Sequence, residues 1–168
     1  MGAIWRWLER GLEAVISLCL IAMTGLTVVD VAGRYFLNAP LKGGYEISEM
    51  MMGLTVFAAL PLATRAEGHL TVSLLTDRLH GGARRVHRVA ILIVTVAALA
   101  FIAWRMGVQA DILARSKAAS GSLQLPLWPV ARAMSVLGWL ACAVSLVLTV
   151  RALIGLDREA PAARGSLE

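Results

Sequence analysis

The chain has 168 residues, of which 58% are hydrophobic and only 16% are charged, and its mean hydropathy is +0.73. A soluble domain is nearer half apolar and a quarter charged, so the composition indicates that a lipid bilayer is the solvent. The net charge of +5 comes from arginines that flank apolar runs and form no basic surface with interleaved aromatic residues. This pattern argues against nucleic acid as a partner.

Four apolar stretches are long enough to cross a membrane as helices. A spanning helix needs about 20 mainly apolar residues, because the hydrocarbon core is about 30 Å thick. The stretches are continuously apolar and do not alternate, which favours helices over a barrel. The predicted spans cover about residues 12–36, 45–64, 86–108 and 128–154. The sequence therefore predicts an all-α membrane protein, with one transmembrane domain over residues 1–155 and a short flexible tail over residues 156–168.

The basic residues beside these spans predict the orientation. Ten of them flank the spans on one side: Arg6, Arg10, Arg65, Arg78, Arg84, Arg85, Arg88, Arg151, Arg158 and Arg164. Only four flank the other side: Lys42, Arg105, Arg115 and Lys117. Because Lys and Arg accumulate in cytoplasmic loops, both termini are expected in the cytoplasm. The first apolar run is too long for a signal peptide and lacks a clear cleavage site, so we expect an uncleaved anchor.

The connector between the second and third spans carries a short amphipathic pattern. In LTVSLLTDRL, residues 70–79, Val72, Leu75 and Leu79 recur at helical spacing, and Gly81-Gly82 follow. Apolar residues at this spacing, ended by glycines, are typical of a short helix that lies in the membrane interface. We therefore predict a cytoplasmic interfacial helix over residues 70–79.

Several charges gather where the first span ends and the second begins. Asp30 and Arg34 are four residues apart, so they share a helix face and are expected to pair, because an unpaired charge at that depth is costly. A second interpretation is that Arg34 pairs with Asp30 and in addition reaches a carboxylate of the second helix. That helix opens with Glu46 and Glu49, and acidic groups near a helix N-terminus are stabilised by the macrodipole.

The sequence NAPLKGG between these two spans predicts a tight turn. Asn38 and Gly43-Gly44 tolerate unusual backbone angles, and Pro40 is expected to end the first helix. Three interpretations of the charges at this turn remain open: structural locking, a direct ion or substrate role, and docking of another protein.

The sequence lacks the residues that catalysis or cofactor binding would need. A haem-carrying anchor of a redox enzyme needs axial histidines inside the spans, but the three histidines fall in the connector after the second span. A small stand-alone exporter usually needs a midplane carboxylate, and the acidic residues around the outer turn lie near the span ends. Cys19 and Cys142 are far apart within apolar segments, which indicates packing residues. We therefore expect no enzyme and no cofactor, and keep the redox anchor and the exporter as alternatives.

The stretch GRYFLNAPLKGGYEISEMMMGLTVFAALPLATRAEGHLTV resembles the small membrane subunit, or Q component, of TRAP transporters. The resemblance covers about residues 30–75, and the segment SLQLPLWP also resembles the family's outer start of the fourth helix. Two positions depart from the family pattern, because Thr71 and Ser73 stand where a basic residue and an aspartate are frequent. The matching features are Arg34-Tyr35-Phe36, Pro40, Glu46, Glu49 and Gly68-His69-Leu70.

This resemblance implies a role in solute import. TRAP systems import organic acids with an ion gradient, usually of sodium; a periplasmic binding protein delivers the solute to a large subunit that carries the substrate and ion sites. The small subunit would brace the large one, contact membrane lipids and offer an outer surface to the binding protein. The residues expected to lock the fold or contact the partner are Asp30, Arg34, Pro40, Glu46, Glu49, Arg65 and His69. Those expected on an outer docking surface are Asn38, Lys42, Arg115 and Lys117.

Overall fold

The computed structural model describes residues 2–65 and 82–154, and this part of the chain folds into four long α-helices. All four are long and apolar enough to cross a membrane, which confirms the predicted all-α, four-span architecture. The helices are α1 (Gly2–Phe36), α2 (Gly44–Arg65), α3 (Gly82–Arg115) and α4 (Trp128–Ile154). The predicted interfacial helix over residues 70–79 and the tail over residues 156–168 lie outside the described residues.

The helix boundaries follow the predicted spans closely for α2 and α4 and less closely for α1 and α3. Helix α1 begins at Gly2, well before the predicted span, and α3 continues to Arg115 beyond it. Arg, Glu and Gln are good helix formers, so a helix continues where its sequence leaves the apolar run. The prediction that His87 falls in the connector is therefore wrong, because His87 lies within α3.

The helices pack in the order α1, α2, α4 and α3, so α1 and α3 are at the two ends of the row. Burial differs along this row. Only 6% of the most apolar window of α1 is buried, against 33% of the corresponding window of α4. Helix α1 is therefore held mainly by its contacts with α2, whereas α4 lies at the centre of the packing.

Small residues bring α3 and α4 close together. Gly138 faces Ala103, and a Cβ atom added at Gly138 would stand 3.0 Å from the Ala103 Cβ. Ser135 Oγ donates a hydrogen bond to the Ala103 carbonyl oxygen at 2.8 Å. Such small residues allow helices to approach closely in a membrane, where packing and interhelical hydrogen bonds drive association. The buried face of α4 is Ala131, Ser135, Gly138, Ala141, Cys142, Ser145, Thr149 and Ala152.

Helix α2 packs against α4 through a glycine and a methionine. The Met134 side chain lies directly over Gly53, where any larger residue would collide with it. Methionine is flexible enough to fill such an irregular gap. Pro61 lies inside α2 and is almost fully buried, which indicates that this proline is a packing residue.

The close α3–α4 contact predicts a specific loss of stability. We expect Gly138→Val to lower the free energy of unfolding by about 1–3 kcal/mol, because its side chain would force the Ala103 backbone away. The measurement is unfolding of the purified chain in mixed micelles. Gly25→Val is the matched control, because nothing lies within 4 Å of a Cβ atom at Gly25. Equal effects of both substitutions would contradict the proposed packing.

Candidate functional site

The Asp30 carboxylate links the end of α1 to the turn that follows it. One of its oxygens pairs with Arg34 Nη2 at 2.7 Å, and the other accepts a hydrogen bond from the Leu41 N–H at 2.8 Å. The predicted pairing of Asp30 with Arg34 is therefore confirmed. The hydrogen bond from Leu41, which the sequence did not predict, also fixes the turn against the end of α1.

The backbone of this turn uses two residues with positive φ. Asn38 has φ 52° and Gly43 has φ 78°, as expected for residues that tolerate left-handed conformations. The Gly33 carbonyl oxygen accepts hydrogen bonds from the N–H groups of Leu37 and Ala39 at 3.0 and 3.1 Å. Helix α1 already ends at Phe36, before Pro40, so Asn38 rather than the proline marks the change of direction.

Glu46, in the first turn of α2, binds the connector between α3 and α4. One carboxylate oxygen accepts hydrogen bonds from the Ser122 N–H at 2.6 Å and the Ser122 hydroxyl at 2.8 Å. The other oxygen accepts from the Leu123 N–H at 3.2 Å. Leu123 also packs over Gly43, where a side chain would collide with it. The two connectors, residues 37–43 and 116–127, therefore meet at one end of the bundle, which we call the turn end.

The connector that Glu46 binds is itself ordered by short-range hydrogen bonds. The Ser120 N–H donates to the Leu125 carbonyl oxygen at 2.9 Å, and the Leu127 N–H donates to the Ala118 carbonyl oxygen at 3.2 Å. The Ser120 hydroxyl oxygen accepts from the Leu125 N–H at 3.1 Å. This small hairpin turns the backbone N–H groups at its tip toward the carboxylate.

A second pair of charges lies at the turn end, between α3 and α4. Arg132 Nη2 is 2.5 Å from Asp111 Oδ1, and both side chains are about half exposed. No local sequence pattern identifies Asp111 as the partner of Arg132, because the two residues lie on different helices. The pair connects the last turns of α3 with the first turns of α4.

At the opposite end of the bundle, Arg65 joins α2 to α1. Its guanidinium forms an ion pair with Glu9 and lies 4.9 Å from the centre of the Trp5 ring. A cation above an aromatic face gains from the ring quadrupole. Glu13 and Leu62 line the same groove. The sequence gives no local signal for this ion pair, because Glu9 and Arg65 lie on different helices.

The predicted site residues that the structure describes lie at the two ends of the bundle. The residues at the turn end are Asp30, Arg34, Asn38, Pro40, Lys42, Glu46, Glu49, Arg115 and Lys117. Arg65 lies at the opposite end, and His69 lies outside the described residues. Within residues 2–65 and 82–154, Arg34 forms no ion pair with Glu46 or Glu49. That alternative is wrong, because Arg34 pairs with Asp30 while Glu46 binds the distant connector.

The geometry identifies a membrane protein in which carboxylates fasten the connections between four spanning helices. The described part of the chain contains no group of three or more His, Cys, Asp or Glu side chains that could hold a metal ion. A family profile described as "Tripartite ATP-independent periplasmic transporters, DctQ component" matches residues 23–155. The chain belongs to this family and is the small membrane component of a TRAP transporter. No curated protein sequence matches it.

The Glu46 contact predicts local opening of the connector when the carboxylate is removed. In Glu46→Ala, the N–H groups of Ser122 and Leu123 lose their acceptor, and their hydrogen exchange should accelerate by about tenfold or more. Amide exchange of the isolated chain measures this directly. Glu49→Ala, on the same helix, is the control, because Glu49 has no hydrogen-bond or ion-pair partner in the described part. Unchanged exchange in Glu46→Ala would refute the contact.

The ion pair between Glu9 and Arg65 predicts energetic coupling between α1 and α2. A double-mutant cycle of Glu9→Gln and Arg65→Gln should give a coupling of about 0.2–1 kcal/mol, the range of partly exposed pairs. Chemical unfolding in micelles provides the four free energies. A cycle of Glu9→Gln with Arg132→Gln, at opposite ends of the bundle, should be additive. Additivity in both cycles would argue against the ion pair.

Proposed function

We propose that this chain is the non-catalytic scaffold and membrane anchor of an ion-gradient-driven TRAP transporter. It braces the large permease subunit, and its turn end helps to dock the periplasmic binding protein. Sodium coupling and organic acids as solutes follow from the family resemblance, and the partners carry the selectivity. Membership of the family supports assembly with a permease and a binding protein.

The observation that carries this proposal is that two carboxylates near the outer turn bind the chain's own backbone. Asp30 and Glu46 accept hydrogen bonds from the chain's own backbone, so both carboxylates serve to fix connectors. Substrate sites of secondary transporters usually lie near the midplane and use interrupted helices. The arrangement at the turn end supports a bracing role, with transport performed by the larger partner.

The proposed orientation follows from the distribution of basic residues. Both termini lie in the cytoplasm, the chain spans the bacterial inner membrane, and the turn end faces the periplasm. Asn38, Lys42, Arg115 and Lys117 are all exposed at the turn end, which supports their proposed role in docking the binding protein. On the cytoplasmic side, we expect His69 and the interfacial helix predicted over residues 70–79, all outside the described residues, to meet protein or lipid headgroups.

The experiment compares the chain with and without its large subunit. Proteoliposomes with both membrane subunits and the binding protein should show sodium-dependent uptake of the organic acid, whereas those with this chain alone should show none. Solute flux through the chain alone would contradict the scaffold role. A haem or flavin band in its visible spectrum would instead favour the redox anchor.

One substitution separates bracing from substrate binding. Arg34→Ala should lower the amount of large subunit that co-purifies, because the loss of its partner weakens the hold of Asp30 on the turn. The solute concentration for half-maximal uptake should not change in the complexes that remain. Arg34→Lys keeps the charge and should retain more of the complex. An intact Arg34→Ala complex with altered solute affinity would contradict this assignment.

A further inference from the structure

Helix α2 exposes one continuous stripe of side chains, Tyr45, Glu49, Met52 and Val56. Their spacings of four, three and four residues place them on one face of the helix. Tyr45 is 82% exposed, and Met52 and Val56 are each more than half exposed. The opposite side of α2 is buried against its neighbours. The exposed stripe is therefore a surface that the chain's own packing leaves uncovered.

Glu49 is the one ionisable side chain in this stripe apart from the tyrosine phenol, and it differs sharply from Glu46. Three donors of the connector surround the Glu46 carboxylate. Glu49 is exposed and has no hydrogen-bond or ion-pair partner within residues 2–65 and 82–154. Charged groups in spanning segments rarely face lipid and usually pair with an opposite charge. A cation on another molecule would satisfy this charge.

We propose that this stripe is the docking surface for a transmembrane helix of the large subunit, and that this helix carries an Arg or Lys opposite Glu49. The proposal rests on the function proposed above. Acidic side chains on one surface select a basic group on the other, and the apolar members of the stripe supply packing area. Methionine at its centre adapts to an irregular partner surface.

The length of the stripe distinguishes between two protein partners. Tyr45 and Val56 are separated by about 16 Å along the helix axis, at about 1.5 Å per residue. The stripe therefore runs from the predicted interface well into the predicted span. A water-soluble binding protein cannot follow it to that depth, whereas a helix of the membrane-embedded subunit can.

The test measures how much large subunit co-purifies with tagged variants of this chain. Glu49→Lys should lower the yield of complex by about tenfold, because it places two cations in contact, and Glu49→Gln should have a smaller effect. Gln109→Lys is the matched control, since Gln109 is exposed on a different helix, α3, near the same end of the bundle, and it should leave the yield unchanged. Isolated Glu49→Lys should keep the wild-type melting temperature. Wild-type yield of complex in Glu49→Lys would overturn the proposal.

A photo-crosslinking amino acid at Met52 identifies the occupant of the stripe directly. Crosslinks to a helix of the large subunit, and rescue of Glu49→Lys by an acidic residue at that helix's cation, would support the proposal. Crosslinks only to lipid or to the binding protein would overturn it. If the wild-type chain fails to assemble with the large subunit, the proposed function itself is wrong. If the wild type assembles and Glu49→Lys does so equally well, only the docking surface is wrong.

Discussion

The hydrogen bonds from Ser122 and Leu123 to Glu46 connect the two halves of this small membrane protein. Each half is a helical hairpin, α1 with α2 and α3 with α4, although the second is closed by a longer connector. Within each half, contacts are local or lie along neighbouring helices. Glu46 reaches a connector 76 residues away and so fixes the relative position of both turns. The packing of Leu123 over Gly43 joins the same two turns.

Packing along the helices supports the same arrangement by a different physical route. A bilayer offers no hydrophobic driving force between apolar helices, so association depends on close contact and interhelical hydrogen bonds. The α3–α4 pair provides both, through Gly138 against Ala103 and the hydroxyl of Ser135. Helix α1 has much less of this contact, and its link to α2 through Glu9 and Arg65 is correspondingly important. The row of helices is thus tightest around α4 and depends on end contacts at α1.

The sequence was informative wherever the cause of a structure is local. Hydropathy predicted the four spans because a membrane requires about 20 apolar residues for each, and helical spacing predicted the Asp30–Arg34 pair. Asn38 and Gly43 indicated the turn because few other residues tolerate positive φ. Pairing between distant residues was not predictable. Nothing local distinguishes Ser122 as the partner of Glu46. The helix macrodipole could explain why a glutamate stands at this position, but it gave no indication of the hydrogen bonds to the distant connector.

Glu46 and Glu49 are two identical residues, three positions apart on one helix, that have different structural roles. Three residues correspond to a rotation of nearly one turn and a rise of about 4.5 Å, which is enough to take Glu49 away from the connector. Glu46 then satisfies its charge within the chain and stabilises the fold, whereas Glu49 has no partner within the described residues and, as proposed, pairs with a cation of the large subunit. The proposed bracing role uses both kinds of group. Internal hydrogen bonds keep the surface rigid, and an unsatisfied charge on that surface selects what binds there.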